Sequence, residues 1–332
     1  MTQLRRDPIV GRWVIVEDET PWQPKDFAVK PHVYEEVSRC PFCSGNEYMT
    51  PPEITAVRPD KSAPNAPGWQ VRVVPNRFPA LQIEGSLDRR GEGLYDRTNG
   101  IGAHEVIIET PEHTKDLSDL SYDAVRAVLE VYAGRCADLQ QDKRFKYMML
   151  FKNYGVEAGA TLDHNHAQLI ALPMIPKNVI EELNGSAAYY EYRERCIFCD
   201  ILRQEQDEKE GIVDENDTFT AFCPFVSRFP FEMWIMPKEH KDFFCASTPQ
   251  ELDSLARILK DTLLRLKRTL NDPAYNFIIH TSPNDGLAHP GYHWHIEIIP
   301  RISRIAGLEW GTGLYVVPTP PEVAARYLKK SK

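Results

Sequence analysis

A chain of 332 residues with 42% hydrophobic and 26% charged side chains has room for two domains of ordinary size and the composition of a globular protein. Its net charge of -9 excludes a general nucleic-acid binder, which needs a broad basic surface to displace counterions from phosphate, and its apolar runs are too short to cross a membrane. The opening residues Met1 to Pro8 lack the apolar stretch and cleavage site of a secretory signal, so a cytoplasmic protein is expected, in which cysteines read as metal ligands before disulfides.

Taken in chain order, short β-rich runs predict strands over Arg12–Val16, Val71–Val74, Glu105–Glu109 and Tyr147–Phe151, with the Pro- and Gly-rich tract Pro51–Gly102 read as an insertion. Before the last of these strands, Val125, Val128, Leu129, Tyr132, Cys136 and Leu139 share one face of a helix that starts at Ser121. A strand over Gln168–Leu172 follows, then a helical connector over Lys177–Arg195 and a solvated charged loop over Gln204–Gly211. The second half runs through a strand at Met233–Met236 and a helix striped by Leu252, Leu255, Leu259, Leu263, Leu266 and Leu270. That helix opens on Thr248-Pro249-Gln250-Glu251, a capping box with proline at the first helical position. Strands over Asn276–His280 and His295–Ile299 close the pattern.

The order repeats. Cys40-Pro41-Phe42-Cys43 leads to His113 and then to His164-Asn165-His166, while Cys196-Ile197-Phe198-Cys199 leads to His240 and then to His293-Trp294-His295. The lone histidine precedes the histidine pair by 51 residues in one half (164 minus 113) and 53 in the other (293 minus 240), and each stands eight residues before its helix start. The expected fold is therefore α+β: two tandem units, residues 1–176 and 177–332, each an antiparallel sheet with one long packed helix.

Structural zinc takes four Cys or His ligands in a tetrahedron. The repeat supplies two sets, Cys40, Cys43, His113 and His164, then Cys196, Cys199, His240 and His293, and so implies two zinc ions per chain. Glu182, His280 and His295 offer an alternative iron or zinc site in the second half that competes for His293. His280 and His289 also read as ordinary strand-end and loop histidines.

In His164-Asn165-His166-Ala167-Gln168, strand alternation puts His164, His166 and Gln168 on one face. With His164 held by metal, His166 is the next group along. A neutral imidazole attacks phosphorus with one ring nitrogen while the other is fixed as a donor, and the phosphoramidate formed passes its group to a second acceptor. Gln168 and loop amides near Gly159 are placed to donate to phosphoryl oxygens.

The string Asn153, Gly155, Gly159, His164, His166, Gln168, with the Arg6–Trp13, Pro75–Ala80 and Pro111–His113 segments, resembles the galactose-1-phosphate uridylyltransferase family of the histidine-triad superfamily over nearly the whole chain. The resemblance implies a ping-pong reaction in which His166 takes a nucleotidyl group from a nucleotide sugar, hexose 1-phosphate leaves, and a second phosphorylated acceptor receives the group. It implies Asn76, Arg77 and Asn153 as nucleotide or phosphate contacts, and a homodimer whose Gly307–Tyr315 segments reach the partner's site. The second half, with Glu297 in place of a glutamine, is expected to lack chemistry. The chain departs from the pattern at Asn165, where the bacterial galactose enzymes usually carry proline, and at Glu17-Asp18-Glu19-Thr20, where arginines tend to precede the Pro-Trp pair. The Glu309–Gly313 and Ala158–Thr161 segments resemble a branch that includes ADP-glucose phosphorylases. Uridylyl transfer from UDP-glucose to a hexose 1-phosphate is the first expectation. ADP-glucose phosphorolysis, with free phosphate as acceptor, is the alternative, and a non-catalytic zinc-stabilised nucleotide-binding protein is the reading from another class. A small histidine-triad hydrolase is disfavoured, because a further histidine would stand where Gln168 does.

Overall fold

The computed structural model describes residues 1–29 and 39–331. The first half contains strands β1 (Gln3–Arg6), β2 (Trp13–Val16), β3 (Thr55–Val57), β4 (Val71–Pro75), β5 (Arg90–Glu92), β6 (Tyr95–Arg97) and β7 (Ala103–Ile108), helix α1 (Tyr122–Leu139), and strands β8 (Tyr147–Tyr154) and β9 (His166–Leu172). Helix α2 (Lys177–Arg193) connects to the second half. There follow α3 (Ile197–Glu208), β10 (Ile212–Glu215), β11 (Phe219–Phe222), β12 (Met233–Pro237), α4 (Pro249–Leu270), β13 (Tyr275–His280), β14 (His295–Pro300), α5 (Gly307–Thr312), β15 (Tyr315–Val317) and α6 (Pro321–Lys330).

The two long helices start where their caps dictate. Ser121 accepts from the Ala124 N–H, and Thr248 forms a reciprocal capping box with Glu251. Asn271 in the left-handed conformation ends α4. Each half builds its sheet in the same order, β3-β4-β7-β9-β8 and β10-β11-β12-β14-β13, which is first, second, third, fifth and fourth strand. The halves do not keep separate sheets: β8 pairs antiparallel with β13, Phe151 opposite Ile278, and a single ten-stranded sheet results. A small separate sheet sets β15 parallel to β2.

Helices α1 and α4 pack together on one face of this sheet, with Val128, Leu129, Leu255 and Leu259 fully buried. Ala167 and Leu169 of β9 and Ile296 and Ile298 of β14 join the same core. Alternation then sends His166 and Gln168, and in the second half His295 and Glu297, to the opposite face.

Three expectations change. Gln204 to Glu208 is the end of α3 rather than loop, and Glu205 is buried there, because the apolar face of Ile197, Phe198 and Leu202 carries the helix on through the charged run. The tract Pro51–Gly102 is not one insertion, since β3 and β4 inside it correspond to β10 and β11. The extra length is split between residues 58–70 and 76–102, against 216–218 and 223–232 in the second half. Helix α6, absent from the strand-and-helix reading above, starts at Pro321, where proline serves as first helical residue instead of breaker. Among the described residues no helix is long and apolar enough to cross a membrane.

Gly155 leads β8 into the loop before the histidine block with φ 80° and ψ 157°, a region open essentially to glycine alone. A Cβ there would stand 2.8 Å from Ala274 Cβ. Gly155→Ala should destabilise the fold by about 1–3 kcal/mol in urea unfolding; an unchanged midpoint would mean the turn tolerates a side chain.

Candidate active site

The eight predicted Cys and His residues converge as two clusters, with the ligand atoms of each within 4.8 Å of one another. Around a tetrahedral zinc with bonds of 2.3 Å to sulfur and 2.0–2.1 Å to nitrogen, sulfur and nitrogen ligands stand roughly 3.5 Å apart. Cys40 and Cys43 Sγ lie 3.6 and 3.5 Å from His164 Nδ1, and Cys43 Sγ lies 3.3 Å from His113 Nδ1. In the second cluster Cys199 Sγ is 3.4 Å from Nδ1 of both His240 and His293. The donor sets and spacings fit zinc. His164 Nε2 donates to the Thr110 carbonyl at 2.7 Å, which leaves Nδ1 with its lone pair toward the thiols.

His166 follows at the first residue of β9. Its Nδ1–H donates to the His164 carbonyl at 2.7 Å, so Nε2 keeps its lone pair. Burial pushes the imidazole down to about 4, against the pull of that carbonyl, so the ring is neutral and nucleophilic near pH 7. It opens on a cavity of about 510 Å³ whose walls include Phe42, Asn76, Arg77, Phe78, Leu162 and Gln168. Gln168 is oriented from behind. The Ala80 N–H donates to His104 Nδ1 at 3.1 Å, so His104 carries its proton on Nε2 and donates it to Gln168 Oε1 at 2.8 Å. Asn76 also donates to that oxygen, at 3.5 Å. With Oε1 occupied, the Gln168 amide N–H groups are left for a ligand oxygen.

Asn76, Arg77, His166 and Gln168 thus share one cavity. Asn153 and Gly159 do not line it. Asn153 Oδ1 accepts from Asn276 at 2.8 Å across the junction of the halves, and Gly159 ends a short turn at φ 87°. His104 escaped the sequence reading because nothing in its local string marks it; only the β7–β9 register, with His104 opposite Ile170, brings it near Gln168. A buried group on the helix side also escaped it: Lys152 bonds Glu109 at 2.6 Å and the Asn165 Oδ1, and Tyr132 donates to Glu109.

In the second half, His295 donates to the His293 carbonyl at 3.1 Å but is covered on both faces, stacked 4.7 Å from Trp234 and 4.6 Å from His280. At the place matching Gln168, Glu297 bonds Arg228. Burial works against its charge, yet Arg228 and His280 outweigh it and hold the carboxyl well below the usual range. An ionised carboxylate cannot donate to a phosphoryl oxygen and repels it. Glu182, His280 and His295 form a third cluster able to hold a metal. His293 is not available to it, because its Nδ1 faces Cys199 in the second Cys/His set. His289 bonds Asp285 at 3.1 Å in its loop.

Metal analysis is expected to return about two zinc ions per chain, falling to about one in Cys43→Ser and in Cys199→Ser. Full zinc content in either variant would remove that cysteine from its ligand set.

A family model described as the N-terminal domain of galactose-1-phosphate uridyl transferase matches residues 1–176, and a model described only as a domain of unknown function matches residues 101–330. The chain is 35% identical to ADP-glucose phosphorylase of Arabidopsis thaliana, over 99% of this chain and 92% of that one. It is 28% identical to galactose-1-phosphate uridylyltransferase of Thermotoga maritima, over 100% and 99%. Its fold superposes with a TM-score of 0.84 on the crystal structure of the Arabidopsis ADP-glucose phosphorylase with bound ADP-glucose, at 34% identity and 99% coverage of both chains. The chain belongs to the galactose-1-phosphate uridylyltransferase family of nucleotidyltransferases, with ADP-glucose phosphorylase among its relatives.

Proposed function

We propose that this protein transfers a nucleoside monophosphate from a nucleotide sugar through a covalent intermediate on His166, and that the reaction is ADP-glucose phosphorolysis in preference to uridylyl exchange. The observation that carries the transfer is the neutral His166 ring, with Nδ1 held by the His164 carbonyl and Nε2 open to a cavity beside the Gln168 amide. The choice of adenylyl transfer is supported by the higher identity to the Arabidopsis phosphorylase than to the Thermotoga uridylyltransferase.

In the first step Nε2 of His166 bonds to the α-phosphorus and the bond from phosphorus to the bridging oxygen breaks, so glucose 1-phosphate leaves with that oxygen. Gln168 donates to the non-bridging oxygens as charge builds on them. In the second step an oxygen of inorganic phosphate bonds to the same phosphorus, the P–N bond breaks, and ADP departs from a neutral His166. Arg77 at the cavity mouth serves the substrate phosphates and Asn76 the nucleotide. Asn153, near the end of β8, and Gly159, in the turn that follows, act from beside the cavity. Cys40, Cys43, His113 and His164 would hold a structural zinc ion that braces the approach to β9, and the phosphorus chemistry stays with His166.

Residues 1–176 are the catalytic unit in this reading and 177–332 its non-catalytic counterpart. The exposed Trp310 of α5 suits the homodimer in which the Gly307–Tyr315 segment completes a partner's site. Uridylyl transfer to galactose 1-phosphate is the second reading, favoured by the near-complete alignment with the Thermotoga enzyme.

Incubation with ADP-glucose or UDP-glucose labelled in the α-phosphate should leave acid-labile label on the wild type and none on His166→Ala; label on the variant would displace His166 as nucleophile. ADP-glucose with inorganic phosphate should turn over faster than UDP-glucose with galactose 1-phosphate, and the reverse order would establish the second reading. Gln168→Ala should slow labelling by about 10²-fold; an unchanged rate would take Gln168 out of transition-state stabilisation.

A further inference from the structure

We propose that Lys152 is a positioning residue for the nucleophile, acting through Asn165 to hold the main chain between His164 and His166. The proposal rests on the reading of His166 as the group that carries the nucleotide. Lys152 is 1% exposed and stands on the helix-facing side of β8, among Leu150, Tyr154 and the other apolar residues of the main core. A cation in such a place is costly unless it is paired and hydrogen-bonded. Its pairing is directed at the active site: Nζ meets the Glu109 carboxylate and the Asn165 Oδ1, Tyr132 of α1 donates to Glu109, and the Glu109 N–H donates to the Asn165 carbonyl at 3.3 Å. Lys152 of β8 and Glu109 just after β7, the latter backed by Tyr132 of α1, therefore converge on one asparagine.

That asparagine lies between a ligand of the first metal cluster and the nucleophile. The carbonyl that fixes Nδ1 of His166 belongs to the peptide plane joining His164 to Asn165. Any rotation at Asn165 turns that carbonyl and with it the direction of the Nε2 lone pair.

The other half of the molecule serves as an internal control. Counting equally from the matched helix caps and strand registers, Glu109, Tyr132, Lys152 and Asn165 correspond to Pro237, Leu259, Ile279 and Trp294. All four polar members are replaced by apolar residues in the half whose histidine is covered, and Trp294 Nε1 there finds no partner. The same fold position is thus filled by plain hydrophobic packing where no chemistry is expected. Stability alone does not call for the polar group, since apolar replacements of buried ion pairs are commonly neutral or stabilising.

The test measures the single-turnover rate of His166 labelling from ADP-glucose carrying label in the α-phosphate. Lys152→Met combined with Glu109→Gln removes the link without leaving a lone buried charge, and Asn165→Ala breaks it from the other end. Each is expected to retain the zinc content and ADP-glucose dissociation constant of the wild type while labelling about 100-fold more slowly, as a displaced nucleophile does. The triple variant should be no slower than the slower of the two, because both break one link. Wild-type rates in Lys152→Met/Glu109→Gln, or losses that multiply in the triple variant, would overturn the proposal. Should those variants lose zinc, Tyr132→Phe keeps the ion pair and removes one support of Glu109: slower labelling at unchanged ADP-glucose affinity supports the role, and an unchanged rate overturns it. A wild type that takes no label overturns the reading of His166 and this proposal with it, whereas a labelled wild type with an equally fast variant overturns the proposal alone.

Discussion

The arrangement at the active site depends on the double use of His164. Its ring nitrogen Nδ1 faces two thiols of a Cys/His cluster, and its carbonyl oxygen, on the same residue, accepts from Nδ1 of His166 at 2.7 Å. Fixing the ring fixes the backbone beside it, so the Cys/His cluster and the His166 ring share one rigid joint. The Thr110 carbonyl completes that joint by holding the far nitrogen of the His164 ring. Orientation of this kind supplies much of what a phosphoryl-transfer site needs, because the attacking lone pair must already lie in line with the bond that breaks.

Duplication explains why the joint appears twice with different surroundings. Both halves lay their strands in the same order and meet through their fourth strands, β8 and β13, so one continuous sheet carries two equivalent histidine positions. His166 looks into a cavity. His295 also borders a cavity, of about 350 Å³, but its ring is stacked against Trp234 and His280, and the neighbouring glutamine position holds an ionised glutamate bound to Arg228. An amide there donates to phosphate oxygens; a carboxylate repels them. The second unit keeps its Cys/His cluster and gives half of the joined sheet, together with α4, the longer of the two core helices.

His280 shows how far electrostatics has moved in that half. Burial resists its protonation, but Glu182 first and Glu297 next lift it to about 10, with Nδ1 3.4 Å from Glu182 and Nε2 3.4 Å from Glu297. In the first half the register position matching His280 is Asn153, a neutral residue that bonds Asn276. Equivalent backbone positions therefore carry a histidine between two carboxylates in one unit and a neutral amide pair in the other, with the sheet unchanged beneath them.

Much of this was legible in the residues alone. The spacing of two Cys-x-x-Cys pairs, two lone histidines and two histidine pairs determined the duplication, the membership of both Cys/His clusters and the helix starts at Ser121 and Thr248, because residue chemistry and helix capping are local in type and repeat with the fold. Strands β3 and β10 were not, since three or four residues of mixed polarity carry no periodicity. The partners of Gln168 and Asn165 lie 64 and 13 residues away, at His104 and Lys152, and become partners only through strand register and alternation. Likewise, His293 was open to two metal sites in sequence, and the direction of its Nδ1 toward Cys199 decided between them. Residue type and spacing determined which groups the chain owns; tertiary structure decided which way each ring and amide points, because hydrogen bonds and side-chain orientation depend on contacts made across the sheet.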